Sequence, residues 1–325
     1  MHSGAAAPLL RPVQYAPDIH GAGGLGGVEG LPPADSDSVR ARIDNRRPAI
    51  EAIAAAIGQT WNAGAGAKVT VVASGPLTNI ALFVSVYPHL LDAVERIVFM
   101  GGGIGVGNRS AVAGKGRVFQ NPVFAPHSPA NQIRFYLTLI CGRIQHRVRS
   151  SVLPDFLFSA LPSRFDAAEA AQIVLNTPVP KTMIPLNVTH KAIVTSSVHA
   201  KLINSTAHDV PSGAPSSQLR HTLSTLITFF KDTYESTFGF LDGPPLHDAL
   251  TIAYISQPEL FTGIRYRVDV ELTGAHSSGQ TVADVWGYLK ADDTWGRTGK
   301  NCEVATDLDV CTITFFSSCT DWPLF

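Results

Sequence analysis

Apolar residues along the chain fall into two recurring patterns. KVTVVAS (68–74) and ERIVFMGGG (95–103) are short, nearly continuous apolar runs, the pattern of strands buried on both faces of a parallel sheet. Between them, GPLTNIALFVSVYPHLL (75–91) sets Ile80, Leu82, Phe83 and Val86 on one helical stripe, with Pro76 suited to a first turn. Strand, helix and strand in roughly 35 residues make a βαβ unit and predict an α/β class. Upstream, Ile50, Ile53 and Ile57 predict a helix over 47–57, ended by Gly58 and NAGAGA (62–67).

Downstream, DAAEAAQIVLNTP (166–178) reads as a helix and KTMIPLNVTH (181–190) as a strand. A long helix is expected over 217–239, with Leu219, Leu223, Leu226, Phe229 and Phe230 inward. Phe229, Phe230 and Tyr234 have helix-packing spacing and read as core. ALTIAYI (249–255) reads as another helix, and RYRVDVELTG (265–274) alternates as a strand does.

Residues 1–35 are rich in Gly, Pro and Ala and read as loop. Residues 114–163 have no clean period and mix basic, aromatic and proline residues; the tail, 309–325, has no interpretable pattern. Gly114-Lys115 can be encoded as a splice-donor-like string. The expectation is therefore that 114–163 is translated intron, with the start and the tail also artefacts of the gene model; the alternative is a genuine insertion. A single domain over 1–325 is expected around these atypical segments.

With 325 residues, 45% hydrophobic, the chain can bury one large core or two modest ones. A net charge of −1 gives no field to draw nucleic acid or an anionic membrane. No apolar run reaches membrane-spanning length. The N-terminus lacks the charged start and apolar core of a signal peptide, so a cytoplasmic location is expected. Cys141, Cys302, Cys311 and Cys319 show no CxxC spacing, which argues against zinc and against a disulfide framework.

The chemistry centres on Leu246-His247-Asp248, set in PPLHDALTIAYISQPELF. His247 is a proton carrier and Asp248 a hard-cation ligand. Two further segments lie at the expected carboxyl ends of strands, where open α/β sheets bind ligands: Ser74, and Met100-Gly101-Gly102. His20, in DIHG, reads equally as a pocket-lining residue and as a surface or structural one. His190 and Asn187 read as structural.

APDIHGAGGLGG, ASGPLTNIAL, IVFMGGGIGVGN, MIPLNVTHKAIVT, PLHDALTIAY with PELF, and SGQTVAD occur in order over roughly 16–285. Together they resemble the nucleoside hydrolase family, the inosine/uridine-preferring N-ribohydrolases; GPLTN and PLHDAL are the specific pieces. The resemblance implies a Rossmann-like, mostly parallel open sheet flanked by helices. It implies one Ca²⁺ at the strand ends and cleavage of a purine or pyrimidine ribonucleoside to ribose and free base. It makes Asp248 and the Ser74 carbonyl metal ligands, Asn108 a ribose contact, and His247 the acid that protonates the leaving base. Met100 and His20 would line the substrate site, and a homo-oligomer is implied.

Two family features are missing. The family's first strand ends in an Asp-x-Asp-x-Gly-x-Asp-Asp turn that supplies most calcium ligands, and no such turn exists here, so the sheet is expected to lack that strand. Asp35-Ser36-Asp37 is the nearest DxD and reads as a helix start. The Glu-Phe-Asn segment that follows the GN pair is replaced by Val112–Gly116. The alternative activity is therefore an inactive relative that binds ribose or nucleoside. A dinucleotide-binding reading of GLGGVEG and GGGIGVG is weaker, because no ribose-binding acid follows at the needed distance.

Overall fold

The structure is a computed structural model that describes residues 1–10, 17–21, 28–33, 35–44, 46–104, 140–141, 167–203, 217–273 and 278–310. Among these the strands are β1 (Val69–Ala73), β2 (Val94–Met100), β3 (Ile140–Cys141), β4 (Lys181–Ile184), β5 (Phe261–Tyr266), β6 (Val268–Val270), β7 (Thr281–Ala283) and β8 (Cys302–Leu308). The helices are α1 (Pro17–His20), α2 (Asp37–Arg40), α3 (Ala49–Trp61), α4 (Thr78–Val86), α5 (Ala167–Leu175), α6 (Leu186–Thr189), α7 (Ser196–Ile203), α8 (Gln218–Phe238) and α9 (Ala249–Ser256).

The main sheet has the order β3-β1-β2-β4-β8-β5, and β6 and β7 form a separate ribbon. β1–β2, β2–β4 and β4–β8 pair in parallel, while β3 and β5 close the two sides antiparallel. The expected α/β architecture, mostly parallel and flanked by helices, is the one observed. β1 is buried at every position, as its unbroken apolar run requires. Among the described residues no strand lies N-terminal to Val69, and the outer side of β1 pairs only through Val69 and Thr70. The core packs β1 and β2 against α3, α4 and α5 through Ile57, Val71, Ile80, Phe83, Ile97, Phe99 and Val174.

Several local expectations shift. α3 continues through Gly58 to Trp61, because open space surrounds that glycine and nothing in the packing stops the helix. α4 begins at Thr78, beyond Pro76, and its stripe is rotated: Ala81 and Val84 are buried while Val86 is 52% exposed. The strand expected over 181–190 ends at Ile184; Pro185 turns the chain, and Leu186–Thr189 form a helical turn. α8 is capped as its sequence suggests, Ser217 accepting from the Arg220 N–H at 3.3 Å and Gly239 taking φ 69°. Its inward face is only half-buried, apart from Tyr234, which is 3% exposed. The strand expected over 265–274 splits between β5 and β6, and β8 was not signalled by any clean period. Asp35-Ser36-Asp37 does begin a helix, α2, with Ser36 at the N-cap.

Two polar groups cross the sheet. Lys181 is fully buried at the start of β4, its ammonium donating to the carbonyls of Thr177, Val179 and Trp295 at 2.6, 2.8 and 2.8 Å. Burial lowers its pKa to about 7. Arg96 of β2 donates to Thr182 and Glu303, and the Tyr254 hydroxyl donates to the same Glu303 oxygen at 3.1 Å. This network links β2, β4 and β8 to α9, the helix that follows the His-Asp pair.

Candidate active site

The carboxyl ends of β2 and β4 are tied together beyond their last residues. Gly101 N–H donates to the Ile184 carbonyl at 3.2 Å, and Leu186 N–H to the Gly102 carbonyl at 3.0 Å. Gly101 and Gly102 take φ values of 144° and 68°, which L side chains rarely adopt. Asn187 accepts from the Ile104 N–H at 2.9 Å, so its side chain braces this loop, the structural role expected of it.

The His-Asp pair is delivered to these ends by a backbone zipper. Val194 N–H donates to the Pro244 carbonyl at 2.9 Å and Leu246 N–H to that of Ala192 at 2.8 Å. Gly243, at φ 134°, is required there, because a Cβ would lie 2.1 Å from the Val194 carbonyl oxygen. Leu246 and Leu250, on either side of the pair, pack into a cluster with Val98, Ile184 and Val188. α9 then crosses against β1 and β2. Ser74 follows β1 and Met100 ends β2, Ser74 half-buried and Met100 6% exposed. The expected Asn108 falls outside the described residues.

His247 is held at both ring nitrogens. Nε2 lies 2.8 Å from the Tyr234 hydroxyl and Nδ1 2.8 Å from the Thr189 hydroxyl. The ring also faces His190 at 5.6 Å between centroids, and His190 in turn packs on Phe240 at 5.2 Å. Tyr234 packs against Phe230, Phe238 and Phe240. His20 joins this aromatic wall, edge-on to Phe230 at 5.7 Å, because α1 packs on α8 and Ile19 shares a buried cluster with Tyr234 and Phe240. Burial, together with the charge of Asp248, keeps the Tyr234 phenol protonated well above its ordinary range.

Asp248 stands at the N-cap of α9 without capping it. The residue is partly exposed, yet its Oδ1 is sealed from solvent and has no hydrogen-bond partner among the described residues. Burial alone raises its pKa to about 7. Such an oxygen is the kind of group a cation completes, since an isolated buried carboxylate is costly. Among the described residues, however, no set of three or more His, Cys, Asp or Glu side chains converges.

The sequence reading missed Tyr234 and Thr189 as members of this site. Periodicity placed Tyr234 on the same stripe as Phe230, and that stripe is indeed its packing face. The available signal was its polarity: it is the one residue of α8 that is fully buried, and a buried phenol needs a partner. Thr189 lies within MIPLNVTHKAIVT, but nothing in its spacing points to His247.

The sequence matches the model of the family described as inosine-uridine preferring nucleoside hydrolase over residues 1–114 and 165–313. The unmatched stretch between coincides, within a residue, with the segment that lacks periodicity. The chain is 29% identical over 308 residues to a probable ribonucleoside hydrolase of Dictyostelium discoideum, covering 94% of this chain and 72% of that protein. It is 30% identical over 308 residues to the pyrimidine-specific ribonucleoside hydrolase RihA of Escherichia coli O7:K1, covering 94% and 74%. Among solved structures, the fold is similar to a plant nucleoside hydrolase, PpNRh1, with a TM-score of 0.65, 20% identity, and 98% and 79% coverage. It is also similar to the purine-preferring ribonucleoside hydrolase from Gardnerella vaginalis, with a TM-score of 0.62, 20% identity, and 98% and 77% coverage. With a family match over more than half its length, in the segments that build both the sheet and the His-Asp site, the chain belongs to the inosine-uridine preferring nucleoside hydrolase family.

Proposed function

We propose that this chain hydrolyses the N-glycosidic bond of a purine or pyrimidine ribonucleoside, and that His247 protonates the departing base. The observation that carries this reading is the placement of His247: bonded at both nitrogens, beside an aromatic wall, at the carboxyl ends of the parallel strands. Cleavage of a sugar–base bond passes through an oxocarbenium-like state. The C1′–N electron pair leaves with the base, which is a poor leaving group until protonated. An imidazole suits that task, and its Tyr234 contact puts a second exchangeable proton in the same place. His20 and the phenylalanines of α8 offer flat surfaces against which a base can rest. Met100 and Asn108 are proposed to contact the ribose.

Calcium enters this proposal through Asp248. The ion takes 6–8 oxygen ligands, several of them charged. Among the described residues, one buried carboxylate oxygen fits that requirement, with the Ser74 carbonyl as the second proposed donor. Two donors do not make a calcium site, so the residues on view supply an anchor for the ion and not its cage. Ribose release from uridine and inosine, with calcium added or chelated, tests the activity. Release that depends on calcium supports the whole reading. Calorimetric nucleoside binding without release would instead make the chain a binding relative. The proposed homo-oligomer is checked by light scattering on the same sample.

Tyr234→Phe tests the acid side of the site. Removing the hydroxyl leaves the ring packing intact and strips Nε2 of its partner. kcat is expected to fall roughly 10- to 100-fold, part of the span that acid catalysis contributes. An unchanged kcat would remove Tyr234 from proton delivery.

A further inference from the structure

Four groups are linked one to the next at the site. They are the Tyr234 hydroxyl, the His247 ring, the Thr189 hydroxyl and the Leu186 carbonyl, separated by 2.8, 2.8 and 3.2 Å. A neutral imidazole has one N–H donor and one bare acceptor nitrogen. Which nitrogen carries the hydrogen depends on the partners it meets.

Only one arrangement places every hydroxyl proton. Tyr234 is buried and its phenol stays protonated. Its hydroxyl meets one acceptor among the described residues, His247 Nε2. Tyr234 must therefore donate to Nε2, which leaves the hydrogen on Nδ1. Nδ1–H then donates to the Thr189 oxygen, and Thr189 passes its own proton to the Leu186 carbonyl. In the opposite arrangement Thr189 donates to Nδ1 and Nε2–H donates to the phenol. The buried Tyr234 proton would then have no acceptor, at the full cost of an unsatisfied buried donor.

We infer that Thr189 is a positioning residue that locks His247 in the Nδ1–H tautomer, so that Nε2 is left as the bare nitrogen that accepts from the Tyr234 hydroxyl. Its relevance to turnover rests on the proposed hydrolysis, whereas the lock itself is a property of the resting protein. Thr189 is suited to the task because it is enclosed and tied to the backbone. It is 0% exposed, and it ends α6, whose first residue, Leu186, supplies the terminal acceptor and is tied through its N–H to the Gly102 carbonyl. The ring plane is thus set by the helical turn that follows β4 and is tied to the end of β2 through Gly102. A wrong tautomer at an otherwise intact catalytic histidine is worth several orders of magnitude in a serine protease triad, so tautomer control is a large lever.

The test is ¹⁵N NMR of the histidine side chains at alkaline pH, where the rings are neutral. The chain has 11 histidines, so His247 is assigned by subtracting the spectrum of His247→Gln. The expected result is a protonated, pyrrole-type Nδ1 and a bare, pyridine-type Nε2. Thr189→Val keeps the shape and removes the acceptor; it should give a mixture of the two tautomers. Its kcat should fall roughly 10- to 100-fold with KM changed less than about twofold, the mark of lost acid function. Thr189→Ser restores the hydroxyl and should return both the spectrum and kcat most of the way. A wild-type Nε2–H tautomer would overturn the inference, as would a folded Thr189→Val protein with an unaltered His247 spectrum. If the spectra behave as expected while the wild type releases no ribose, the lock stands and the hydrolytic reading falls.

Discussion

Replacing His247 with Gln lowers kcat for inosine or uridine by roughly 10²- to 10⁴-fold, the range by which a positioned acid contributes. Gln can occupy the space between Tyr234 and Thr189 and can hydrogen-bond to both hydroxyls, but it cannot carry a proton at neutral pH. The loss should depend on the leaving group. The nitrophenolate of a nitrophenyl riboside departs with the bonding electron pair as a stabilised anion and needs no proton, so His247→Gln should retain most of the wild-type rate on that substrate. The comparison separates a lost acid from a damaged fold, because a misfolded protein fails on both. Equal losses on the two substrates would show that the ring serves binding or structure, and would remove the acid role from the proposal. The Asp248 neighbour and the α9 packing through Leu250 are untouched by the change, which makes the substrate contrast the decisive reading.

What could be read from the sequence divides along a physical line. β1, β2 and the intervening α4 were legible because strands buried on both faces keep one pattern along their length. β5 and β8 were not. Phe261–Tyr266 forms the outer antiparallel strand, with five of its six residues away from full burial in a run, and Cys302–Leu308 mixes buried Val304 and Ala305 with exposed Thr306 and Asp307. Neither keeps a period long enough to name. Residues 181–190 were misread at one point only: the strand signal of Lys181–Ile184 was carried through Pro185, where the ring fixes φ and the chain turns into α6. That same turn is what brings Thr189 under His247. The His-Asp pair was visible as a motif, but its partners were not, since Tyr234, Thr189 and His247 meet only through tertiary packing. His20 ends α1 and meets Phe230 edge-on, a contact made through the packing of α1 on α8 that its DIHG setting does not signal. Asn108 and the segment 114–163 lie outside the described residues.

Asp248→Asn should abolish calcium-dependent ribose release and, at the same time, stabilise the metal-free protein at alkaline pH. The reason is the buried, unpartnered Oδ1. Burial raises the Asp248 pKa from 3.8 to about 7 in the folded protein. The folded state therefore holds this proton more tightly than the unfolded chain does. The associated stability is fully present below about pH 4 and is lost as pH rises through about 7, after which the cost is constant. A shift of about three pKa units corresponds to roughly 4 kcal/mol, an upper figure because the residue as a whole is partly exposed. Asn has nearly the same shape and no charge to bury. Chelator-treated wild type and Asp248→Asn should thus have similar urea midpoints near pH 4 and diverge by a few kcal/mol at pH 8, the variant being the more stable. Calcium should narrow that gap by stabilising only the wild type, through mass action on the folded state. A variant that is less stable than chelated wild type at pH 8 would mean that the carboxylate is already satisfied by a group of the chain, and Asp248 would lose its place as the anchor of a cation. A gain in stability at the expense of activity is the expected signature of a residue kept for its charge and not for the fold.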